Sequence, residues 1–282
     1  MSDTKPAAPI GVFDSGLGGL SVVREMLPWM PGERIVYVGD SVHAPYGAWP
    51  EARICDFSLG MARFLLERAG CRGLVIACNT ATAAAADALR AAFTEVPIVG
   101  MEPAVKPAAQ VTRTGVVGVL ATVGTLASAR FAALLERYGG EVEFITQPCP
   151  GLPEAVERGE LDTPATRALV EKYVKPLLER NADTLVLGCT HYPVLRPLIA
   201  EIAGPNVALI DTGAAVARRA ATVFGAQHTA NNLPSAATLS LFTTDPDVAT
   251  FARGAGVILG RPVAPPVCLR TDALHCHAAP LR

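Results

Sequence analysis

The sequence predicts an α/β fold: two similar open parallel-sheet domains related by pseudo-two-fold symmetry, with the active site in the cleft between them. Three observations lead there. Short apolar, β-branched runs alternate with helix-like stretches, the pattern of βα units and a parallel sheet. The runs end in polar or glycine-rich blocks, where open α/β sheets bind ligands. These blocks recur: Ser15 and Thr122, Cys78 and Cys189, and Val99 and Ile210 stand 107 to 111 residues apart. That offset is too long for a solenoid repeat and fits a duplicated domain-sized unit.

The elements follow in order. Residues 10–14 read as a strand, 15–19 as a glycine-rich turn and 21–30 as a helix. The turn superficially fits a dinucleotide fingerprint, but Ser21 stands where the third glycine is required, so no nicotinamide or flavin is expected. Taken alone, Asp14 and Ser15 read as helix caps. Residues 35–40 form the next strand, and Pro45 and Gly47 punctuate the loop after it. A helix over 50–69 carries Ile54, Phe57, Met61, Phe64 and Leu65 at core spacing. The strand ending in Cys78-Asn79-Thr80 leads into an alanine-rich helix over 81–93, then a strand over 96–101 and a helix over 104–112.

The second unit repeats the scheme through strands at 118–121, 143–146, 185–187 and 209–210. A helix over 212–224, a polar loop, a strand over 238–243 and a short helix over 248–254 are expected to pack back on the first unit. The expected domains are therefore 1–102 plus 212–282, and 103–211. In the tail, His275-Cys276-His277 lacks a second ligand pair at zinc spacing, so no metal is expected there and a loosely ordered terminus is.

Composition narrows the function. The 282 residues are 50% hydrophobic and 18% charged, with a formal net charge of −2, which excludes extended disorder, and neither nucleic acid nor an anionic membrane is expected as a partner. No apolar run reaches membrane-spanning length and no secretion signal opens the chain. A soluble cytoplasmic protein is expected, whose cysteines are thiols rather than a disulfide framework. With about nine residues ahead of the first strand, no long activator-binding N-terminal extension is expected.

Two cysteines at matching strand ends call for a chemistry that uses both. Thiols on opposite walls of a cleft suit inversion of an α-carbon, one removing a proton from one face while the other donates to the opposite face. Helix N-termini would lower the thiol pKa from its usual ~8.5. Thr80 and Thr190 would cap those helices and bind a carboxylate there. The usual cofactor for such a carbanion is pyridoxal phosphate on a lysine. Lys5, Lys106, Lys172 and Lys175 all lie outside the strand-end blocks, so no cofactor is expected.

The blocks Gly11-Val12-Phe13-Asp14-Ser15-Gly16-Leu17-Gly18-Gly19, Ala44-Pro45-Tyr46-Gly47, Ala77-Cys78-Asn79-Thr80 and Gly188-Cys189-Thr190-His191-Tyr192-Pro193 resemble those of the cofactor-independent glutamate racemases. The resemblance covers about residues 10–259. It implies interconversion of L- and D-glutamate and supply of D-glutamate for peptidoglycan, with glutamate as the small-molecule partner and homodimer formation left open. It further implies Cys78 and Cys189 as proton donors and acceptors, Asp14 assisting Cys78, and His191 assisting Cys189 with support from Glu157. Asp14, Ser15, Tyr46, Gly47, Asn79, Thr80, Thr122, Thr190 and His191 would contact substrate. Three rivals remain at this level: an aspartate or hydantoin racemase, a two-domain binding protein with packing cysteines, and a zinc site using Cys189 and His191.

Overall fold

The computed structural model describes residues 7–138, 140–225, 237–271 and 274. Its elements run β1 (Ile10–Asp14), α1 (Leu20–Met26), β2 (Arg34–Gly39), α2 (Glu51–Arg63), β3 (Leu74–Ile76), α3 (Asn79–Ala92), β4 (Ile98–Val99), α4 (Val105–Val111), β5 (Val116–Ala121), α5 (Val123–Leu126), α6 (Ala129–Tyr138), β6 (Glu143–Pro148), α7 (Leu152–Glu157), α8 (Pro164–Glu179), β7 (Thr184–Leu187), α9 (Arg196–Ala203), β8 (Ala208–Ile210), α10 (Gly213–Phe224), β9 (Thr238–Thr243), α11 (Val248–Leu259) and β10 (Val267–Cys268).

The strands form two sheets, β10-β9-β2-β1-β3-β4 and β6-β5-β7-β8, and every pairing is parallel. The order β2-β1-β3-β4 in the first sheet recurs as β6-β5-β7-β8 in the second, so Cys78 and Cys189 each follow the strand paired with the one that comes first in sequence in their sheet. Parallel sheets need cover on both faces, and the alternation of side chains supplies it. In the first sheet Ile10, Val12, Tyr37 and Val75 pack with residues of α1, α10 and α11. Phe13, Val38, Leu74 and Ile76 point the other way, among residues of α2 and α3. The second sheet sends Leu120, Leu185 and Leu187 toward α8 and α9, and Val117, Val119 and Val186 toward α4 and α6.

Several boundaries differ from the sequence expectation. The first helix begins at Leu20 and tightens to a 3₁₀ turn over Leu27–Trp29, where Pro28 withholds a backbone donor. The helix expected to run to residue 69 widens into a π turn over Phe64–Arg68. The strand expected over 96–101 pairs only at Ile98 and Val99. Helix α11 continues to Leu259 and stops at Gly260, which is left-handed at φ 66°; Ile258 and Leu259 are buried there, so packing sustains the extra turn. Strand β10 pairs with β9 and carries no hydrophobic alternation that would have announced it. His275-Cys276-His277 and most of the polar loop after Gly225 lie outside the described residues. No described helix is long and apolar enough to cross a membrane.

Candidate active site

Strand β3 is fully buried and delivers Cys78 in an extended conformation as the N-cap of α3, its sulfur accepting the Ala81 amide at 3.4 Å. The sequence assigned this cap to Thr80. Thr80 is already inside the first helical turn, so its hydroxyl is free to cross to the second unit, 2.9 Å from Thr122 Oγ1 and 3.2 Å from Thr125 Oγ1. The Cys78 thiol lies 3.9 Å from Ser15 Oγ, toward which it donates.

The second thiol is held differently. After β7 the chain turns through Cys189, Thr190 and His191, passes a 3₁₀ segment at Tyr192–Leu195, and starts α9 only at Arg196. The expected helix N-terminus at Thr190 is therefore absent. Cys189 instead has an imidazole beside it: His191 Nδ1 stands 3.5 Å from the sulfur, and Nε2 stands 2.6 Å from Glu157 Oε1. Glu157 is the last residue of α7, which begins after Gly151 at φ 90°, a left-handed conformation that glycine adopts at little cost. The same Glu157 oxygen accepts the Leu17 amide at 2.6 Å.

That last bond explains the glycine-rich turn. A Cβ on Gly16 would sit 2.0 Å from Glu157 Oε1, and one on Gly18 would sit 2.6 Å from His191 Nδ1. The glycines thus let side chains of the second unit press on the backbone of the first. Asp14 fills the turn from within. Its Oδ2 accepts the Gly19 amide at 2.7 Å and the Gly16 amide at 3.4 Å, and Thr190 Oγ1 donates to its Oδ1 at 3.4 Å.

One cavity connects these groups. Ser15, Pro45, Tyr46, Gly47, Cys78, Asn79, Thr80, Thr122, Cys189, Thr190 and His191 line it, and only about 10 Å³ of free space remains between the walls, roughly room for one water. All the residues named from the sequence meet there except Asp14 and Glu157, which stand behind it, Asp14 under the glycine turn and Glu157 behind His191. Asp14 is 0% exposed and its oxygens are occupied as above, so it stands behind the cavity wall and does not line it. Asn79 has both side-chain polar atoms buried and without a hydrogen-bond partner, a costly state that a ligand carboxylate or ammonium group in the cavity would relieve.

Sequence reasoning passed over Asp40, Thr125 and Thr244. The Tyr46 hydroxyl donates to Asp40 Oδ2 at 2.8 Å, the Thr244 hydroxyl to Asp40 Oδ1 at 2.9 Å, and His43 Nδ1 lies 2.9 Å from Oδ2. Asp40 thereby fixes the Pro45-Tyr46-Gly47 wall. Its place after β2, matching that of Asp14 at the end of β1, was the available signal.

The two thiols differ electrostatically. Burial first, and then the nearby Asp14 carboxylate, push the Cys78 thiol well above its usual range, outweighing the Ala81 amide. The expected lowering by a helix N-terminus is therefore reversed at Cys78. Burial likewise raises Asp14, although His191 and the Gly19 amide pull it down. At His191 burial favours the neutral ring, yet the Cys189 sulfur and Glu157 carboxylate together raise the imidazole well above the ordinary histidine value. Among the described residues, no group of three or more His, Cys, Asp or Glu is placed to hold a metal ion.

Known proteins resemble this chain over most of its length. The profile of the Asp/Glu/Hydantoin racemase family matches residues 10–220. A glutamate racemase from Ectopseudomonas mendocina is 55% identical over 231 residues, 82% of this chain and 88% of its own. The crystal structure of a glutamate racemase from Francisella tularensis in complex with D-glutamate is 28% identical, with a TM-score of 0.79 over 95% of this chain and 100% of its own. That of the Escherichia coli glutamate racemase in complex with L-glutamate and an activator is 32% identical, with a TM-score of 0.77 over 88% of this chain and 94% of its own. On the profile, the relatives and the shared fold, the chain belongs to the Asp/Glu/Hydantoin racemase family.

Proposed function

We propose that this protein is a glutamate racemase that interconverts L- and D-glutamate with two thiols and no cofactor. The observation that carries the reading is that Cys78 and Cys189, each following the equivalent strand of its own sheet, open onto one cavity. The two sheets with their helices act as domains 1–102 plus 212–282 and 103–211, closing on substrate from either side. Relatives named glutamate racemase, crystallised with D-glutamate in one case and L-glutamate in another, favour glutamate over aspartate or a hydantoin.

In the reaction one thiol first gives up its proton to its neighbour, Asp14 for Cys78 or His191 for Cys189. The thiolate takes the Cα proton; the Cα–H bond breaks, an S–H bond forms, and the electron pair stays on the α-carbon and its carboxyl group. The thiol on the opposite wall then protonates the other face. Direction reverses with the enantiomer bound. Asp14 and His191 act through the sulfurs, and Glu157 acts on His191 by holding Nε2. Asn79, Thr80 and Thr190, with Ser15, Tyr46, Gly47 and Thr122, orient the substrate, and the tight walls exclude water from the carbanion. The D-glutamate formed serves peptidoglycan biosynthesis in the cytoplasm.

Circular dichroism of L-glutamate, D-glutamate and L-aspartate solutions incubated with the purified protein tests the assignment. Both glutamate enantiomers should decay to zero ellipticity while aspartate stays optically active. Racemisation of aspartate without glutamate would overturn it.

A further inference from the structure

About 10 Å³ between the thiol-bearing walls cannot admit an amino acid, so the walls must part in every catalytic cycle. One face of α3 runs outward from the Cys78 cap through Thr80, Ala83, Ala84 and Asp87, the helical spacing of a single stripe. Opposite it stand Gly124, Ala127, Ser128, Ala129 and Arg130 of the second unit, and the two rows border a cavity of about 380 Å³ that shares Thr80 with the active site. The middle of this seam is alanine, glycine and Ser128, with Trp49 and Ile54 on the wall of the same cavity.

Its two ends are polar. At the inner end Thr80 meets Thr122 and Thr125. At the outer end Arg130, on the first turn of α6, reaches Asp87 Oδ1 through Nη2 at 2.5 Å and Glu102 Oε1 through Nη1 at 3.3 Å. Glu102 lies in the chain segment that joins the two sheets, between β4 and α4, so one guanidinium ties α3, α6 and the connecting segment together.

We infer that the Arg130 cluster with Asp87 and Glu102 is the outer latch of the active-site cleft, holding the seam shut between turnovers and releasing it to admit substrate. The latch suits repeated opening. The Asp87 side chain is 83% exposed and that of Arg130 28%, so the pair is hydrated and its attraction is screened by salt. The proposal concerns access to the cavity and does not depend on which amino acid the site takes.

The thiols themselves report opening. Cys78 and Cys189 are 4% and 7% exposed inside the cavity, Cys71 is 7% exposed in the core of the first unit, and Cys268 lies on the surface. Substrate-free protein is pulsed with iodoacetamide, and alkylation of each cysteine is followed by peptide mass spectrometry in wild type, Asp87→Asn and Arg130→Gln. Both variants should speed alkylation of Cys78 and Cys189 about 1.4-fold to fivefold relative to Cys268, the range expected of an exposed ion pair. Cys71 should be unaffected, and 0.5 M salt should speed wild type most, Asp87→Asn less because its Arg130–Glu102 pair remains, and Arg130→Gln least. The two variants remove opposite charges, so acceleration in one and slowing in the other would mean a field effect on the sulfurs and would overturn the latch. Unchanged rates, or Cys71 accelerating in step with the site, would overturn it equally.

Discussion

Cys78 and Cys189 follow equivalent strands of two sheets with the same order, yet their surroundings have diverged. Cys78 caps a 14-residue helix and lies near a buried carboxyl group. Cys189 sits on a turn, beside an imidazole whose far nitrogen is held by Glu157. Burial and Asp14 keep the first sulfur protonated; the second has a histidine that its neighbours favour as a cation. The repeated strand order brings two thiols to one cavity, and in the proposed mechanism each has its own proton partner. A site that treats mirror-image substrates alike need not itself be a mirror.

Removing either sulfur should break the comparison most severely. Cys78→Ala and Cys189→Ala are each expected to lower racemisation about 10³-fold or more, at the upper end of what one positioned acid–base group supplies, while thermal unfolding stays cooperative. A variant that keeps full activity by circular dichroism assay would remove that sulfur from the mechanism.

The proton partners come next. Asp14→Asn and His191→Asn should each reduce kcat by roughly 10²-fold. Their signatures should be opposite: Asp14→Asn enlarges the α-deuterium isotope effect for the enantiomer whose proton Cys78 removes, and His191→Asn enlarges it for the other. Isotope effects that rise together for both enantiomers would show that the partners are not assigned one to each sulfur.

Glu157→Gln sharpens the second half alone. It removes a charge that raises the His191 pKa, so the NMR titration of that ring should move down from its wild-type position, and kcat should fall roughly 10-fold. The sign for stability follows: with a folded-state pKa above the unfolded value, His191 contributes stability that is complete below about pH 6.5 and lost as pH rises through the folded value. The variant should lose that stability at lower pH than wild type.

The smallest effect concerns thiols as buried acids. Burial raises Cys71 to about 12 and lifts Cys78 well above the usual range. A raised folded pKa means stability that is complete below the unfolded thiol value, near pH ~8.5, and lost as pH climbs toward the folded one. Urea unfolding at pH 7, 9 and 11 should show a declining alkaline limb, flatter in Cys71→Ala, whose cavity cost is the same at each pH.

The fold was largely legible because its signals are local. β-branched runs such as Val75-Ile76 and Leu185-Val186 and the recurrence of strand ends carried both the sheet class and the placing of the thiols. What escaped depends on packing between distant residues. Ser21 already set the Gly16–Gly19 turn apart from a dinucleotide fingerprint, but the room its glycines leave for Glu157 and His191 cannot be read from the chain. The cap passed from Thr80 to Cys78 because the helix starts earlier than its alanine run suggests. The direction of the Cys78 shift was missed because a helix N-terminus can be read from the chain, whereas total burial beside Asp14 cannot. Thr125 and Arg130 meet partners more than 40 residues away with nothing local to mark them, and Asp40, marked only by its place after β2, pairs with Thr244, 204 residues on.

The central claim is that each sulfur serves one face of a single carbon. Deuterium incorporation at Cα in heavy water, followed by NMR from L-glutamate and from D-glutamate separately with wild type, Cys78→Ala and Cys189→Ala, tests it most directly. Wild type should deliver labelled product of opposite configuration from either enantiomer, and neither variant should convert one enantiomer into the other at an appreciable rate. Racemisation with label uptake at wild-type rates by a one-thiol variant would contradict the account.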